Sequence, residues 1–253
     1  MSARKSAPGG FGLIIIGTEI LDGRRADKHF SHFREQLELR HFDLPYSMVL
    51  RDQPEILVAQ LRWAMSRKEP FFCCGGIGAT PDDYTRQCAA EAAGVRTAMH
   101  AEGAEILQQR WGKKATPARM AMVEFPEGSF LIPNPINRVP GFTFRNGHYL
   151  PGFPEMAHPM MEWVLDECYD PSAPKAQHSL RLPGSVEADV VHLMEAFTDA
   201  HPELSFSSLP KFTETGTEIE LSVTGPVKEA EQGFRNLIAL LEKDAVVYIR
   251  VVH

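Results

Sequence analysis

Short apolar runs alternate with helix-like segments along the first two thirds of the chain, and this alternation constrains the fold more than any other feature. The pattern extends from Phe11 to Asp170 and begins with FGLIIIG, which is followed by apolar residues at helical spacing and then by YSMVL. Strands that alternate with helices predict a largely parallel sheet with helices on both faces. The predicted class of this region is therefore α/β, with its ligands at the carboxyl ends of the strands.

The last third of the chain has a different order of elements. The stretch DPSAPKAQ (Asp170–Gln177) predicts a short linker. Beyond it the segments follow in the order βαββαβ, which is the ferredoxin-like split βαβ unit and predicts a smaller α+β domain. We therefore expect one domain over residues 1–170 and another over residues 178–253. An open sheet edge in the second domain can pair between chains, so a homo-oligomer is expected.

Composition narrows the partners of this chain. Its 33 acidic residues outnumber its 26 basic ones, and no block of lysine and arginine offsets the formal net charge of −7. A nucleic-acid surface or an anionic membrane surface is therefore not expected. No segment reaches the roughly 20 apolar residues of a membrane span, and the four cysteines show no C-x-x-C spacing. We expect buried thiols in a reducing compartment, and a cytoplasmic location.

The stretch FFCCGGIGATPDDYTRQ (Phe71–Gln87) contains a candidate phosphate site. An apolar run, a glycine-rich turn and Thr80-Pro81 predict a buried strand that leads into a helix starting at Thr80, where free N–H groups attract anions. A second glycine-bearing turn follows the first strand and is expected at the same edge of the sheet. The candidate ligand-binding residues in the two turns are Gly17, Thr18, Glu19, Gly75, Gly76, Gly78, Thr80 and Thr85.

Carboxylates near this site conflict with a bound phosphate. Asp82 and Asp83 are expected in the first turn of the helix, where they would repel the anion. A divalent cation such as Mg²⁺, held by Asp83 and by Asp52 from the loop after YSMVL, would remove the conflict, with Asp82 and Glu19 as further possible ligands. The alternative for Asp83 is a capping box with Thr80. The alternative for Asp82 is a solvated charge, and the alternative for Asp52 is a helix N-terminal or turn aspartate.

Two segments together resemble the MoaB/Mog molybdopterin-binding domain. IIIGTEILDGRRADKHF and CCGGIGATPDDYTRQ match the variant found at the N-terminus of competence/damage-inducible protein A and of some bifunctional FAD synthases. That family's pattern is G-T-E-[IL]-L-x-G followed by G-G-x-G-x-T-x-D-D-x-T. NPINRVPGF and LPGFPEM are similar to its later N-P and L-P-G-x-P-x-E-M segments. The resemblance covers Phe11 to Asp170 and extends more weakly to His253.

The resemblance implies a Mog-like three-layer αβα fold whose pocket binds a pterin, such as molybdopterin, or a nucleotide phosphate. It also implies that Asp83 and Asp52 are the functional carboxylates of metal-assisted pyrophosphate chemistry, and that Asn134 and Pro135 belong to the binding site. In the competence-protein branch the implied activity is cleavage of ADP-ribose-like pyrophosphates. That branch carries a separate C-terminal deamidase domain, for which this chain is expected to be too short.

Two departures from the family pattern bear on the pocket. Lys28-His29 replaces a Thr-Asn or similar pair, and Arg138 stands in a segment that is usually smaller. Lys28, Arg86 and Arg138 are the basic candidates, and any of them could replace the cation in binding phosphate if its side chain reaches the loop. The predicted function is binding, and hydrolysis with Mg²⁺ or a similar ion, of a pterin or nucleotide pyrophosphate. The alternatives are a binding module without turnover and an interaction protein with a vestigial pocket.

Overall fold

The computed structural model describes residues 4–213 and 216–251. The chain divides into two compact units, residues 1–172 and residues 173–253. Within the described residues, no helix combines the length and the hydropathy that crossing a membrane requires.

The first unit is organised around a six-stranded mixed sheet. The whole unit contains eight strands among its described residues, six of them in this sheet. They are β1 (Gly12–Ile16), β2 (Ser47–Leu50), β3 (Phe71–Cys74), β4 (Thr97–Met99), β5 (Glu124–Pro126), β6 (Phe130–Ile132), β7 (Gly141–Phe144) and β8 (Gly147–Leu150). The main sheet has the order β2-β1-β3-β8-β7-β6. Pairing is parallel from β2 to β8 and antiparallel at β7 and β6, while β4 and β5 form a separate antiparallel pair. The predicted mostly parallel α/β sheet is confirmed.

Helices cover both faces of this sheet. They are α1 (Thr18–Leu21), α2 (His29–Leu39), α3 (Pro54–Met65), α4 (Thr85–Ala93), α5 (Ala101–Trp111), α6 (Pro117–Met120) and α7 (Pro154–Cys168), with 3-10 turns at Gly112–Lys114 and Ala121–Val123. Alternate residues of β3 enter different cores, because successive strand side chains point to opposite faces. Phe71 and Cys73 pack with Leu57 and Leu61 of α3. Phe72 and Cys74 instead join the core that includes α2 and α7.

The second unit has the predicted βαββαβ order. Its elements are β9 (Lys175–Pro183), α8 (Glu187–Ala200), β10 (Ser205–Thr213), β11 (Gly216–Pro226), α9 (Val227–Lys243) and β12 (Ile249–Val251). The strands form one antiparallel sheet in the order β10-β11-β9-β12, in which the two outer strands are β10 and β12. The smaller α+β domain after the αβα unit is thereby confirmed.

Several boundaries differ from the sequence prediction. Strand β9 begins at Lys175, inside the stretch expected to be linker, because its pairing with β11 extends to Pro226. The run AVVYIRVV yields the short strand β12, since its pairing with β9 covers three residues, and Val252 lies outside the described residues. The segment PARMAMVE, whose apolar spacing predicts one helix from Pro117 to Glu124, forms the shorter α6 and a 3-10 turn. Glu124 pairs with Met99 in the β4–β5 ladder instead.

Candidate functional site

The two glycine-bearing turns meet at the carboxyl edge of the main sheet. Gly17 donates its N–H to the Leu50 carbonyl at 3.0 Å, and Gly75 donates to the Leu150 carbonyl at 3.0 Å. Gly75 has a φ of 112° and approaches β1 so closely that an added Cβ would lie 2.2 Å from the Ile16 carbonyl oxygen. Only glycine permits this contact. The tertiary structure therefore places the end of β1 against the start of the loop after β3.

Asp52 fastens the first turn to the loop after β2. Its Oδ2 accepts the backbone N–H and the hydroxyl of Thr18, both at 2.8 Å. In return the Asp52 N–H donates to Thr18 Oγ1 at 3.1 Å. Asp52 Oδ1 has no hydrogen-bond partner within the part of the chain that is described. Asp52 is thus a turn aspartate that retains one free carboxylate oxygen at the sheet edge.

Thr85 holds the glycine loop on the start of α4. Its side chain is fully buried, its hydroxyl donates to the Gly75 carbonyl at 2.9 Å, and its N–H donates to the Gly76 carbonyl at 3.0 Å. Gly76 has a left-handed φ of 66°, and a Cβ there would lie 2.2 Å from Thr85 Oγ1. The Thr85 hydroxyl is therefore committed to the loop backbone.

Asp83 closes the other side of the loop. Its Oδ1 accepts the Gly78 N–H at 2.9 Å, and its Oδ2 accepts the Thr80 N–H at 2.8 Å together with a short hydrogen bond from the Thr80 hydroxyl. The reach of Asp83 back to the Thr80 amide is the contact that the capping alternative required. Both oxygens are occupied by donors of the loop itself.

The expectation that Asp82 and Asp83 lie in the first turn of a helix is wrong. Helix α4 begins at Thr85, and the preceding residues form a separate turn that the Asp83 N–H closes on the Thr80 carbonyl at 3.0 Å. The side chain of Asp83 accepts the N–H groups of Gly78 and Thr80, which lie before the expected first turn. Asp82 is exposed, and the hydroxyl of Thr80 donates to Asp83 instead.

Arg86 supports the loop from its buried side. Only 4% of this residue is exposed, and Nη1 donates to the carbonyl oxygens of Ile77 and Gly78, the second at 2.5 Å. Loss of hydration lowers its pKa, while the charges of Asp83 and Glu124 act in the opposite direction. The guanidinium is therefore committed to loop carbonyls. From the sequence it was only a candidate phosphate ligand.

Three amides of the loop are left unpaired. Within the described chain, the N–H groups of Gly76, Ile77 and Ala79 donate to no protein acceptor. Ala79 is exposed and Gly76 is half-buried. Unpaired backbone N–H groups around a glycine turn form the type of concave donor surface that binds phosphate oxygens.

A cavity of about 240 Å³ lies beside this loop. It is lined by Ile15, Ile16, Glu19, Ile20, Arg25, Ala26, Asp27, Lys28, His29, Gly152, Phe153, Pro154 and Glu155. Gly152 links the cavity to the loop, because a Cβ at Gly152 would lie 3.4 Å from the Gly75 Cα. Of these residues, the sequence analysis named Glu19 as a candidate ligand and Lys28 as a candidate phosphate-binding cation. The segments RRADKH and GFPE belong to the stretches that resemble the family. Only the fold shows that both of them lie against the end of a strand.

Some of the charged groups on the cavity wall already bind other groups of the protein. Asp27 accepts the His29 N–H at 2.8 Å and the Phe30 N–H at 3.0 Å, and so caps α2. Glu19 lies 3.7 Å from Arg25 in a loose ion pair. Lys28, the first residue of the Lys28-His29 pair that departs from the family pattern, places a basic side chain at the cavity.

The other departing residue, His29, belongs to a cluster of three imidazoles between α2 and α7. His32 stacks on His158 with ring centroids 3.7 Å apart, and His29 meets His158 edge-on at 5.4 Å. His29 Nε2 lies 3.3 Å from the Gly152 carbonyl, and His32 Nε2 lies 3.1 Å from Glu162. Burial is the main cause that lowers the pKa of His158 to about 4, and it also lowers the pKa of His29. His29 and His158 are consequently neutral at pH 7.

Asn134 and Pro135 do not line the cavity. The Asn134 side chain donates to the Val139 carbonyl at 3.0 Å and accepts the Ile136 N–H at 3.0 Å, so that it shapes its own loop. Arg138 is exposed in the same loop with a left-handed φ of 60°. Among the described residues, no hydrogen bond or ion pair joins this segment to the glycine loop, and its predicted ligand role stays a prediction.

The carboxylates do not assemble into a resident metal site. No group of three or more His, Cys, Asp or Glu side chains suited to a metal occurs within the described ranges. Both oxygens of Asp83 are occupied by loop donors, and Asp52 offers one free oxygen. The residues present therefore do not fit an ion held by the protein alone.

Comparisons with known proteins agree with this fold. The family model described as "Probable molybdopterin binding domain" matches residues 12–170. A protein of Pyrobaculum arsenaticum is 27% identical over 244 residues, which are 91% of this chain and 92% of that protein. A CinA-like protein of Citrifermentans bemidjiense is 30% identical over 211 residues, which are 80% of this chain and 51% of that protein. The chain thus spans about half the length of this CinA-like relative.

A solved structure shows the same fold. The crystal structure of CinA from Thermoplasma acidophilum, a protein described as having unknown function, aligns with a TM-score of 0.58 and 22% identity over 66% of this chain and all of that one. The family match covers more than half of the sequence and includes both glycine turns and the cavity. The chain therefore belongs to the probable molybdopterin binding domain family, as a MoaB/Mog-like domain of the competence/damage-inducible protein A (CinA) type.

Proposed function

We propose that this chain binds the pyrophosphate group of a pterin, such as molybdopterin, or of a nucleotide at the carboxyl edge of its main sheet. The observation that carries the proposal is the set of unpaired N–H groups at Gly76, Ile77 and Ala79, in the loop whose first residue, Gly75, adjoins the cavity residue Gly152. Such amides stabilise phosphoryl oxygens without a side-chain cation. The molybdopterin-binding description of the family supports a phosphorylated pterin as one ligand class.

The cavity supports a ligand with a planar ring. Isoleucines of β1 and α1 give it an apolar wall, and Phe153, which is 56% exposed, lies at its edge. An exposed aromatic ring is a surface on which a pterin or a nucleobase can stack. Lys28 adds positive charge on the same wall. We infer that the ring of the ligand occupies the cavity while its phosphates meet the loop amides.

Calorimetry with ADP-ribose and adenosine tests this proposal, because the two ligands share a base but differ in the pyrophosphate. We expect ADP-ribose to bind at least about tenfold more tightly, which corresponds to about 1.4 kcal/mol. A Phe153→Ala variant should weaken both ligands, whereas Ala79→Pro, which removes one loop amide, should weaken ADP-ribose alone. Equal affinities for ADP-ribose and adenosine would contradict recognition of phosphate by the loop.

The second candidate function is hydrolysis of the bound pyrophosphate in the presence of Mg²⁺. The observation in its favour is the free Oδ1 of Asp52, because Mg²⁺ is commonly bound by one or two carboxylates together with the phosphates of the substrate. The test follows AMP release from ADP-ribose with Mg²⁺, Mn²⁺ or Co²⁺, and compares Asp52→Asn with the wild type. Binding without product would leave the chain as a binding module.

Assembly and location complete the proposal. We infer a homo-oligomer in the cytoplasm, with an outer strand of the second unit as the pairing edge. A protein that assembles but binds neither ADP-ribose nor a pterin would be the interaction protein with a vestigial pocket. Arg138, exposed in its loop, is available to such a partner as well as to a ligand.

A further inference from the structure

Arg86 is a buried cation placed at an energetic cost. Its guanidinium is almost wholly removed from water, and its Nε has no hydrogen-bond partner in the described part of the structure. An unsatisfied buried donor costs on the order of 1–3 kcal/mol, and more for a charged group. A smaller apolar residue on α4 would avoid that cost. The two loop carbonyls to which Nη1 donates indicate what the placement achieves.

The geometry of a peptide unit connects these carbonyls to the free amides. The loop peptides are trans, so the C=O and the N–H of each unit point in opposite directions. The N–H opposite the Ile77 carbonyl is that of Gly78, and it is bound by Asp83 Oδ1 at 2.9 Å. The N–H opposite the Gly78 carbonyl is that of Ala79, which is exposed and has no protein acceptor. By holding the Gly78 carbonyl inward, Arg86 turns the Ala79 N–H outward.

Arg86 also balances the charge of Asp83. The Asp83 carboxylate accepts three hydrogen bonds from the loop, and it is the largest electrostatic influence that opposes deprotonation of Arg86. A carboxylate and a guanidinium held by the same loop present little net charge to an incoming anion. The sequence suggested that Asp83 would need a divalent cation before phosphate could bind. The structure supplies the compensating charge from within the chain.

We propose that Arg86 is a positioning residue: it orients the Gly78–Ala79 peptide toward the ligand and offsets Asp83, so that a pyrophosphate group binds the loop without a divalent ion. This inference rests on the proposed function, because it assumes that the loop binds phosphate. It assigns Arg86 no contact with the ligand. The ligand class is a phosphate dianion or a pyrophosphate recognised by backbone N–H groups.

Calorimetric titration of ADP-ribose into the wild type, Arg86→Gln and Arg86→Lys, each with EDTA and with excess Mg²⁺, tests the proposal. We expect the wild-type Kd in EDTA to lie within about threefold of the value in Mg²⁺, and Arg86→Gln to bind at least about tenfold more weakly in both buffers. Lysine keeps the charge but has no planar fork of donors, so Arg86→Lys should recover less than half of that loss on a logarithmic scale. Arg96→Gln, at a side chain that is 87% exposed, controls for loss of one positive charge.

Three results would overturn the proposal: wild-type binding that EDTA weakens more than about tenfold, Arg86→Gln binding equal to wild type, or full recovery by Arg86→Lys. A measurement without ligand separates failure of this inference from failure of the proposed function. Hydrogen exchange of the Gly78 amide, followed by NMR, should accelerate at least about tenfold in Arg86→Gln but not in Arg96→Gln. If ADP-ribose bound to no variant, the proposed function would be wrong, and unchanged Gly78 exchange would still refute the role of Arg86.

Discussion

Replacing Asp83 with asparagine tests whether this carboxylate is a fastener of the loop. In the structure Oδ1 binds the Gly78 amide, while Oδ2 binds the amide and the hydroxyl of Thr80. Asparagine has one acceptor oxygen and one NH₂ group, which only donates. Whichever way the amide turns, an N–H group must face a backbone N–H of the loop. The substitution also removes the carboxylate whose charge most favours the charged form of Arg86.

The size of the effect follows from the hydrogen bonds that are lost. A hydrogen bond to a charged group contributes about 1.5–3 kcal/mol, and the half-buried position of Asp83 lets water replace part of it. We therefore expect Asp83→Asn to lower the free energy of unfolding by about 2 kcal/mol. In a unit of this size that loss corresponds to a fall in Tm of about 4–8 °C.

Urea unfolding followed by circular dichroism measures this difference, with Asp82→Asn as the matched control. Asp82 carries the same charge one residue away, but it is exposed, so its substitution should change stability by less than about 0.5 kcal/mol. If Asp83→Asn were as stable as Asp82→Asn, Asp83 would not fasten the loop. The reasoning that assigns its oxygens to Gly78 and Thr80 would then be refuted.

Four further outcomes are expected. Gly76→Ala should cost at least about 2 kcal/mol more than Gly94→Ala, because both glycines have a left-handed φ but only at Gly76 does a Cβ meet an atom within 4 Å; equal losses in urea unfolding would contradict this. Burial lowers the pKa of His148 to about 3 from 6.5, so its contribution is fully present above pH 6.5 and is lost as pH falls toward 3. Lowering the pH from 6.5 to 5 should remove about 2 kcal/mol of stability in the wild type and clearly less in His148→Asn; parallel pH profiles would refute the assignment. Limited proteolysis should cut first within Asp170–Gln177, and a first cut inside α8 would argue against the predicted boundary. Analytical ultracentrifugation should give a mass above that of one chain, and Leu209→Lys on the exposed face of β10 should lower it if that edge forms the contact.

The sequence by itself determined the local elements of this protein. Helix α7 (Pro154–Cys168) and helix α9 (Val227–Lys243) carry their buried residues at helical spacing, which is a local signal. The turn at Asn146-Gly147 joins β7 to β8. Such features follow from propensities and periodicities that act within a few residues, and they were sufficient to predict both the α/β class and the βαββαβ order. The glycine turns were located because a glycine-rich segment after an apolar run is also a local signal.

The tertiary structure decided what those turns do. Asp52 meets Thr18 across 34 positions of sequence, and His29 reaches Gly152 across 123, so no local pattern could pair them. Helix α4 starts at Thr85, whose N–H donates to the Gly76 carbonyl, while Asp83 accepts the N–H groups of Gly78 and Thr80 in the preceding loop. Arg86 was a candidate phosphate ligand from the sequence. In the fold it is buried and donates to the Gly78 carbonyl, so it supports the loop instead of facing a ligand. Which polar groups remain free for a ligand depends on which ones the fold has already paired, and that is settled only when distant segments meet.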